Sequence, residues 1–421
     1  MQSRLNVLMV TAACHPDKGS EPGIGFTWVK AISKYYDLDV ICGEKENNKN
    51  AIENVLKNDK ELADHVRFYF IPRDNFTQIE KKIVKIFYPF YYHKYKCWMK
   101  KAYKLALELD KNNKYSLSHQ LNMIGYREPG YLWKLNLPFV WGPVGGNGNI
   151  PIQYLKVLDI EGFTKQSIRS IINFFQIRYN VRVVKAFKKT SSLLTTNFNN
   201  KNTIKKIHNI DSDVILVSPT FTSNILSKIK YSNNNFIKFV CSGNLISTKN
   251  LPLIFHSLSK IKNRNWSLDI LGDGPLLEKW KNISENLGIN SNITWHGKLT
   301  KKNAIISMSN CDVLLFPSLI EGSPGVVSEA ISLGLPVICF DKDGQKDIVD
   351  KSCGILIPLD SPKNSIKNFS IAIQSLIDNP EVISKFSEGA LKRAKQFTVD
   401  SQLPIMLKAY KKAIAKNTFK N

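Results

Sequence analysis

Two carboxylates, Glu321 and Glu329, bracket the run Gly322-Ser-Pro-Gly325, and their setting suits a phosphate-bearing ligand. The apolar run Val313–Phe316 just before them predicts a buried parallel strand. Ser323 is placed to cap a helix, with Pro324 at its first position, where the missing N–H removes nothing. Gly334 ends that helix, and Pro336–Phe340 predicts the next strand. Free N–H groups and the positive end of the helix dipole favour an anion at such a start. Glu321 lies on the loop beside it and Glu329 in the second helical turn. Elsewhere, His119 closes a predicted strand Tyr115–His119, at the strand end that faces ligands in open α/β sheets.

The elements that must hold these residues alternate strand and helix through the whole chain. Leu5–Val10 predicts a strand, followed by a turn containing Gly19, Glu21, Gly23 and Gly25. A helix over Phe26–Tyr36 and a strand over Leu38–Cys42 complete a βαβ unit. The glycines lack the dinucleotide spacing, so NAD is excluded, but they allow close backbone approach to a ligand. A second glycine-rich loop, Gly142-Pro-Val-Gly145-Gly146, follows the strand Leu137–Trp141, and residues 160–190 are basic and helical. The pattern restarts near Pro219. Strands at Phe236–Ser242, Ser267–Leu271 and Ile293–Gly297 precede the Glu321 stretch, and Gly243-Asn244 and Gly272-Asp-Gly274 follow two of them. The expected fold class is α/β, with two doubly wound parallel sheets in domains 1–218 and 219–399, and a final helix of about 400–421 packing back on the first domain.

The 421 residues suffice for two domains. A net charge of +24 favours acidic partners, although abundant lysine alone would also give it. Seven scattered cysteines have no metal-ligand spacing and suit a reducing compartment. The start of the chain reads as a strand, not a secretion signal, and no apolar run reaches the roughly 18 residues of a membrane span. The Lys81–Lys104 stretch interleaves lysines with aromatics such as Tyr88, Tyr92 and Trp98. That pattern suits an anionic membrane surface or single-stranded nucleic acid, and equally a helical hairpin with its rings inward.

Taken together, Glu321-x7-Glu329, Gly334-Leu-Pro-Val, Gly272-Asp-Gly-Pro and the Gly243-to-Lys249 stretch resemble the retaining glycosyltransferases of family 4, of GT-B architecture. The first half, through Gly19-Ser-Glu-Pro-Gly, Trp28 and His119 to Gly146, is similar to a subgroup of bacterial surface-polysaccharide synthesis. The resemblance implies two Rossmann-like domains facing across a cleft. It implies a nucleotide-sugar donor, UDP-linked by preference, and a lipid-linked or glycan acceptor, with no nucleic-acid partner, no cofactor and no metal. The place implied is cytoplasmic, peripheral on the inner face of the membrane. Glu329 is implied to hold the ribose diol, Glu321 to touch the donor sugar, and Lys249 to hold the diphosphate together with backbone at Gly325 and Val326. Gly243, Asn244 and Gly274 complete the donor side, Gly23 and Gly25 close over the diphosphate, and His119 lines the sugar site. Glu21, Arg127, Gly145 and Gly146 fall on the acceptor side.

The sequence departs from that pattern at Asn244, where the family usually carries arginine, and at Gly344, which stands alone where a glycine pair is common. Loss of the guanidinium fork leaves Lys249 as the charged partner of the diphosphate. Two alternatives share the fold: a sugar-nucleotide epimerase and a binding protein with weakened catalysis.

Overall fold

The computed structural model describes residues 4–73, 77, 80, 89–216, 236–263 and 265–418. The chain divides into two compact units. Met1–Asn147, Asn173–Pro219 and Gln402–Asn421 form the first, and Gly148–Ile172 with Thr220–Ser401 form the second.

In the first unit the described strands are β1 (Asn6–Thr11), β2 (Asp37–Glu44), β3 (Val66–Pro72), β4 (Leu117–Asn122), β5 (Phe139–Val144), β6 (Ser192–Thr195) and β7 (Ser212–Val214). They form one sheet in the order β3-β2-β1-β4-β5-β6-β7, and the pairs are parallel. The second unit holds β8 (Ile237–Ser242), β9 (Trp266–Leu271), β10 (Ile293–Gly297), β11 (Val313–Phe316), β12 (Val337–Phe340) and β13 (Gly354–Ile357). Their order is β10-β9-β8-β11-β12-β13, again parallel. Helices cover both faces of such sheets, which is why β11 and β12 are apolar and buried throughout. Strand order reverses between β1 and β4 in one unit and between β8 and β11 in the other. At such a point neighbouring loops leave in opposite directions and open a crevice at the carboxyl ends of the strands.

Three sequence expectations shift. The first unit is not the continuous segment 1–218, because 148–172 packs with the second. Tyr154 is fully buried there, edge-on to Phe340 at 6.0 Å, with its hydroxyl 2.5 Å from Ser365 Oγ. The first helix runs Ser20–Ser33 instead of starting at Phe26. Gly23 and Gly25 therefore lie inside a helix, not a ligand loop, and both are buried. A Cβ on Gly25 would stand 2.3 Å from the Ala13 carbonyl oxygen, so glycine lets this helix close on the end of β1. Ser323 does not cap its helix. Pro324 takes that position with φ −73° and ψ 102°, and Gly325–Ser332 is the helix. Pro324 is itself extended at that ψ, so the first helical residue is Gly325, one place further along.

Glycine is obligatory at Gly272, where φ is +151° and a Cβ would meet the Gly243 carbonyl oxygen at 2.0 Å. The loops after β8 and β9 are laced by Gly243 N to Leu271 O and Leu245 N to Asp273 O. Gly272→Ala is expected to lower unfolding stability by about 2 kcal/mol or more, read by urea denaturation.

Candidate functional site

The loops that leave the switch point of the second unit carry the chemistry. After β8 the chain passes Gly243, with φ +142°, and makes a short 3-10 turn over Ser247–Lys249. Asn250 then adopts the left-handed conformation and starts the helix Leu251–Leu258. This turn sets the Lys249 ammonium over the Phe316 ring at 5.1 Å. After β11 the loop carries Ser318 and Glu321. Lys249 Nζ donates to Glu321 Oε1, and Ser318 Oγ donates to the same oxygen at 2.6 Å. The lysine and glutamate side chains are 21% and 15% exposed, so their attraction is only partly screened by water.

The other donor-side residues lie close by. Gly325 and Val326 are the first two residues of their helix, where N–H groups have no intrahelical acceptor. Glu329 sits in the second turn of that helix, with Lys301 Nζ at 3.6 Å. Gly243, Asn244 and Gly274 line one groove of about 500 Å³, together with Asp273 and Lys298. Gly274 also has a packing reason: a Cβ there would meet the Leu245 carbonyl oxygen at 2.5 Å.

Three lysines escaped the sequence reading. Lys298 lines the groove, Lys301 faces Glu329, and Lys342 donates to the carbonyls of Leu319 at 3.1 Å and Asn149 at 2.8 Å. Burial lowers the pKa of Lys342. Lys342 thereby ties down the loop that carries Glu321. The position of Lys298 and Lys301 just past a strand end at Gly297 was the available signal.

The first unit corrects several expectations. His119 is not at a strand end, because β4 continues to Asn122 and pairs through Asn122 with Thr11. The imidazole is fully buried. Nε2–H donates to the Gly142 carbonyl at 2.8 Å, which leaves Nδ1 to accept from the Tyr410 hydroxyl at 2.7 Å. Burial pushes its pKa down to about 4, so it is neutral near pH 7. Arg127 is also withdrawn: it donates to Asn173 and stacks 4.9 Å from the Tyr126 ring. Gly145 is held as backbone, since its N–H meets Ile124 O at 2.7 Å and a Cβ would meet Thr196 Oγ1 at 2.6 Å. Gly146 has φ +84°, which favours glycine there.

Glu21 accepts from the Ile124 N–H at 2.7 Å, and desolvation raises its pKa. It borders a cavity of about 290 Å³ with His15, Lys18, Lys45, Glu46 and Arg73. In the Lys81–Lys104 stretch, residues 81–88 lie outside the described residues. In the rest, Tyr95 and Trp98 are buried, the Trp98 indole donating to Ile71 O at 3.2 Å. Those two rings therefore cannot enter a lipid surface, and this part matches the reading with rings inward.

Residues 223–393 match the family described as glycosyl transferases group 1. The matched stretch lies within the second unit. An uncharacterized glycosyltransferase of Haemophilus influenzae is 26% identical over 190 residues, 44% of this chain and 52% of that protein. The N-acetylgalactosamine-N,N'-diacetylbacillosaminyl-diphospho-undecaprenol 4-alpha-N-acetylgalactosaminyltransferase of Campylobacter jejuni is 24% identical over 163 residues, 38% of this chain and 43% of that protein. The chain spans about half the length of these relatives. Among solved structures, Anabaena Alr3699/HepE in complex with UDP and glucose superposes with a TM-score of 0.58 at 14% identity, over 96% of this chain and 98% of that one. The fold, with its two Rossmann-like parallel sheets, is the GT-B fold of such glycosyltransferase structures. Among the described residues, no helix is long and apolar enough to cross a membrane.

Proposed function

We propose that the protein is a retaining glycosyltransferase that moves a sugar from a UDP-sugar to a lipid-linked glycan acceptor in cell-surface polysaccharide synthesis. The observation that carries this reading is the Lys249–Glu321–Ser318 cluster at the β8/β11 switch point. Breaking the sugar–phosphate bond puts negative charge on the departing diphosphate. Lys249 and the N–H groups at Gly325 and Val326 are the groups that meet it, in a scheme that needs no metal. On binding, the diphosphate competes with Glu321 for the ammonium and frees the carboxylate for the sugar hydroxyls. The groove beside Asn244, Gly274 and Lys298 has room for a nucleoside, and Glu329 offers two oxygens to the ribose diol. UDP bound to Alr3699/HepE supports the donor, and the undecaprenol-linked substrate in the Campylobacter protein's name supports the acceptor.

The test incubates the purified chain with UDP-sugars and an undecaprenyl-diphosphate-linked sugar, following UDP release and product mass. Consumption of UDP-sugar to an isomer without acceptor would instead identify an epimerase. Glu329→Ala is expected to raise KM for the donor roughly 10- to 100-fold, the worth of a charge-assisted contact, with kcat much less affected. An unchanged KM would remove Glu329 from the ribose site.

A further inference from the structure

The helix Ile160–Tyr179 is built inside out. Its inward residues include polar ones: Gln166 and Asn173 are buried, and Asn173 Oδ1 accepts from the Tyr126 hydroxyl at 3.0 Å and from Arg127. Its outward stripe is apolar. Ile160 is 88% exposed, Ile168 49%, Ile171 61%, Phe175 56% and Tyr179 67%. These positions recur at helical spacing, so they form one face. Ile152, Val157, Phe163, Phe174 and Val181 extend the exposed apolar surface. Ten of the 18 large apolar residues exposed among the described residues thus fall within 152–181, which is no random scatter. Over 152–189 the chain carries eight Lys and Arg against Asp159 and Glu161 alone. Arg178 lies over the Phe174 ring at 4.0 Å.

We propose that this face docks in the plane of an anionic lipid surface. Isoleucines and phenylalanines along one side of a helix enter the boundary between headgroup and acyl chain, and flanking cations meet lipid phosphates. The charge of the segment, within a chain of net charge +24, selects lipid over a second copy of itself, which would bring like charges together. The assignment is separate from the lysine-aromatic stretch, of which Tyr95 and Trp98 face the core and residues 81–88 lie outside the described residues. It is independent of the catalytic reading, because turnover of a water-soluble acceptor should not depend on it.

The experiment sediments the full chain with vesicles of phosphatidylcholine alone or mixed with phosphatidylglycerol. The wild type should pellet with the mixed vesicles and be released by salt. Ile168→Ser, Ile171→Ser and Phe175→Ser combined should lower partitioning by at least about tenfold, while the melting temperature holds because all three side chains are exposed. Equal pelleting of the triple variant, or no pelleting of the wild type, overturns the proposal. So does a wild-type dimer in sedimentation velocity that the triple variant dissolves, since that would make the face a contact between copies.

Discussion

Lys249→Ala is expected to lower the rate of sugar transfer about 100- to 1000-fold, the usual loss when one preorganised charge contact to a leaving group is removed. The expected size follows from how the ammonium is held. It is largely shielded, lies over the Phe316 ring, and is aimed by Glu321 and the 3-10 turn at Ser247–Lys249. No reorganisation is needed when charge develops. Asn244 raises the stake, because the side chain next to Gly243 carries no charge to share the work. Lys249→Arg should recover only part of the rate, since a planar fork does not reproduce a point charge. Stability should fall by only about 1 kcal/mol, because Ser318 still serves the Glu321 carboxylate. Initial rates of UDP release with a thermal melt on the same samples check this. Activity within a few-fold of wild type would sink the assignment of Lys249 to the diphosphate.

The second large effect is on folding. His119→Ala should lower unfolding stability by about 3 kcal/mol or more, through a cavity and two orphaned partners, the Gly142 carbonyl and the Tyr410 hydroxyl. The residue also makes stability depend on pH. Unfolded, its imidazole takes a proton near the ordinary value, whereas folded it refuses one until about pH 4. The unfolded state therefore binds more protons between these values. The contribution is fully present above roughly pH 6.5 and is lost as pH falls through about 4, up to about 3 kcal/mol in all. Urea melts from pH 4 to 7 should show this slope in the wild type and lose it in His119→Asn. If His119→Asn instead kept its stability and lost kcat, His119 would belong to the active site after all.

The extent of the sequence's power differs by residue. The alternation of apolar runs and helices was enough for two parallel sheets, because a strand buried on both faces must be apolar throughout, as Val313–Phe316 is. The Glu321 loop was legible too, since it follows a strand end within a few residues, and Lys249 through the resemblance of the Gly243-to-Lys249 stretch. Helix starts were less secure: Ser20 instead of Phe26, and a cap at Pro324 instead of Ser323, because neither start is marked by a side-chain cap.

By itself, then, the sequence determined the α/β class and the two stretches that carry Glu321 and Lys249, while β4 and β5 end further along than expected and the contact between the two side chains is tertiary. Tertiary structure alone decided which way side chains face. His119 looked ready for a ligand and is sealed between Gly142 and Tyr410. Segment 148–172 left the first half of the chain because Tyr154 found its core among Phe340 and Ser365. The helix Ile160–Tyr179 turns its apolar stripe to solvent and holds Asn173 inside, bonded to Tyr126 and Arg127. A period of 3.6 residues marks a stripe but not its direction; direction is set by what the rest of the chain packs against it.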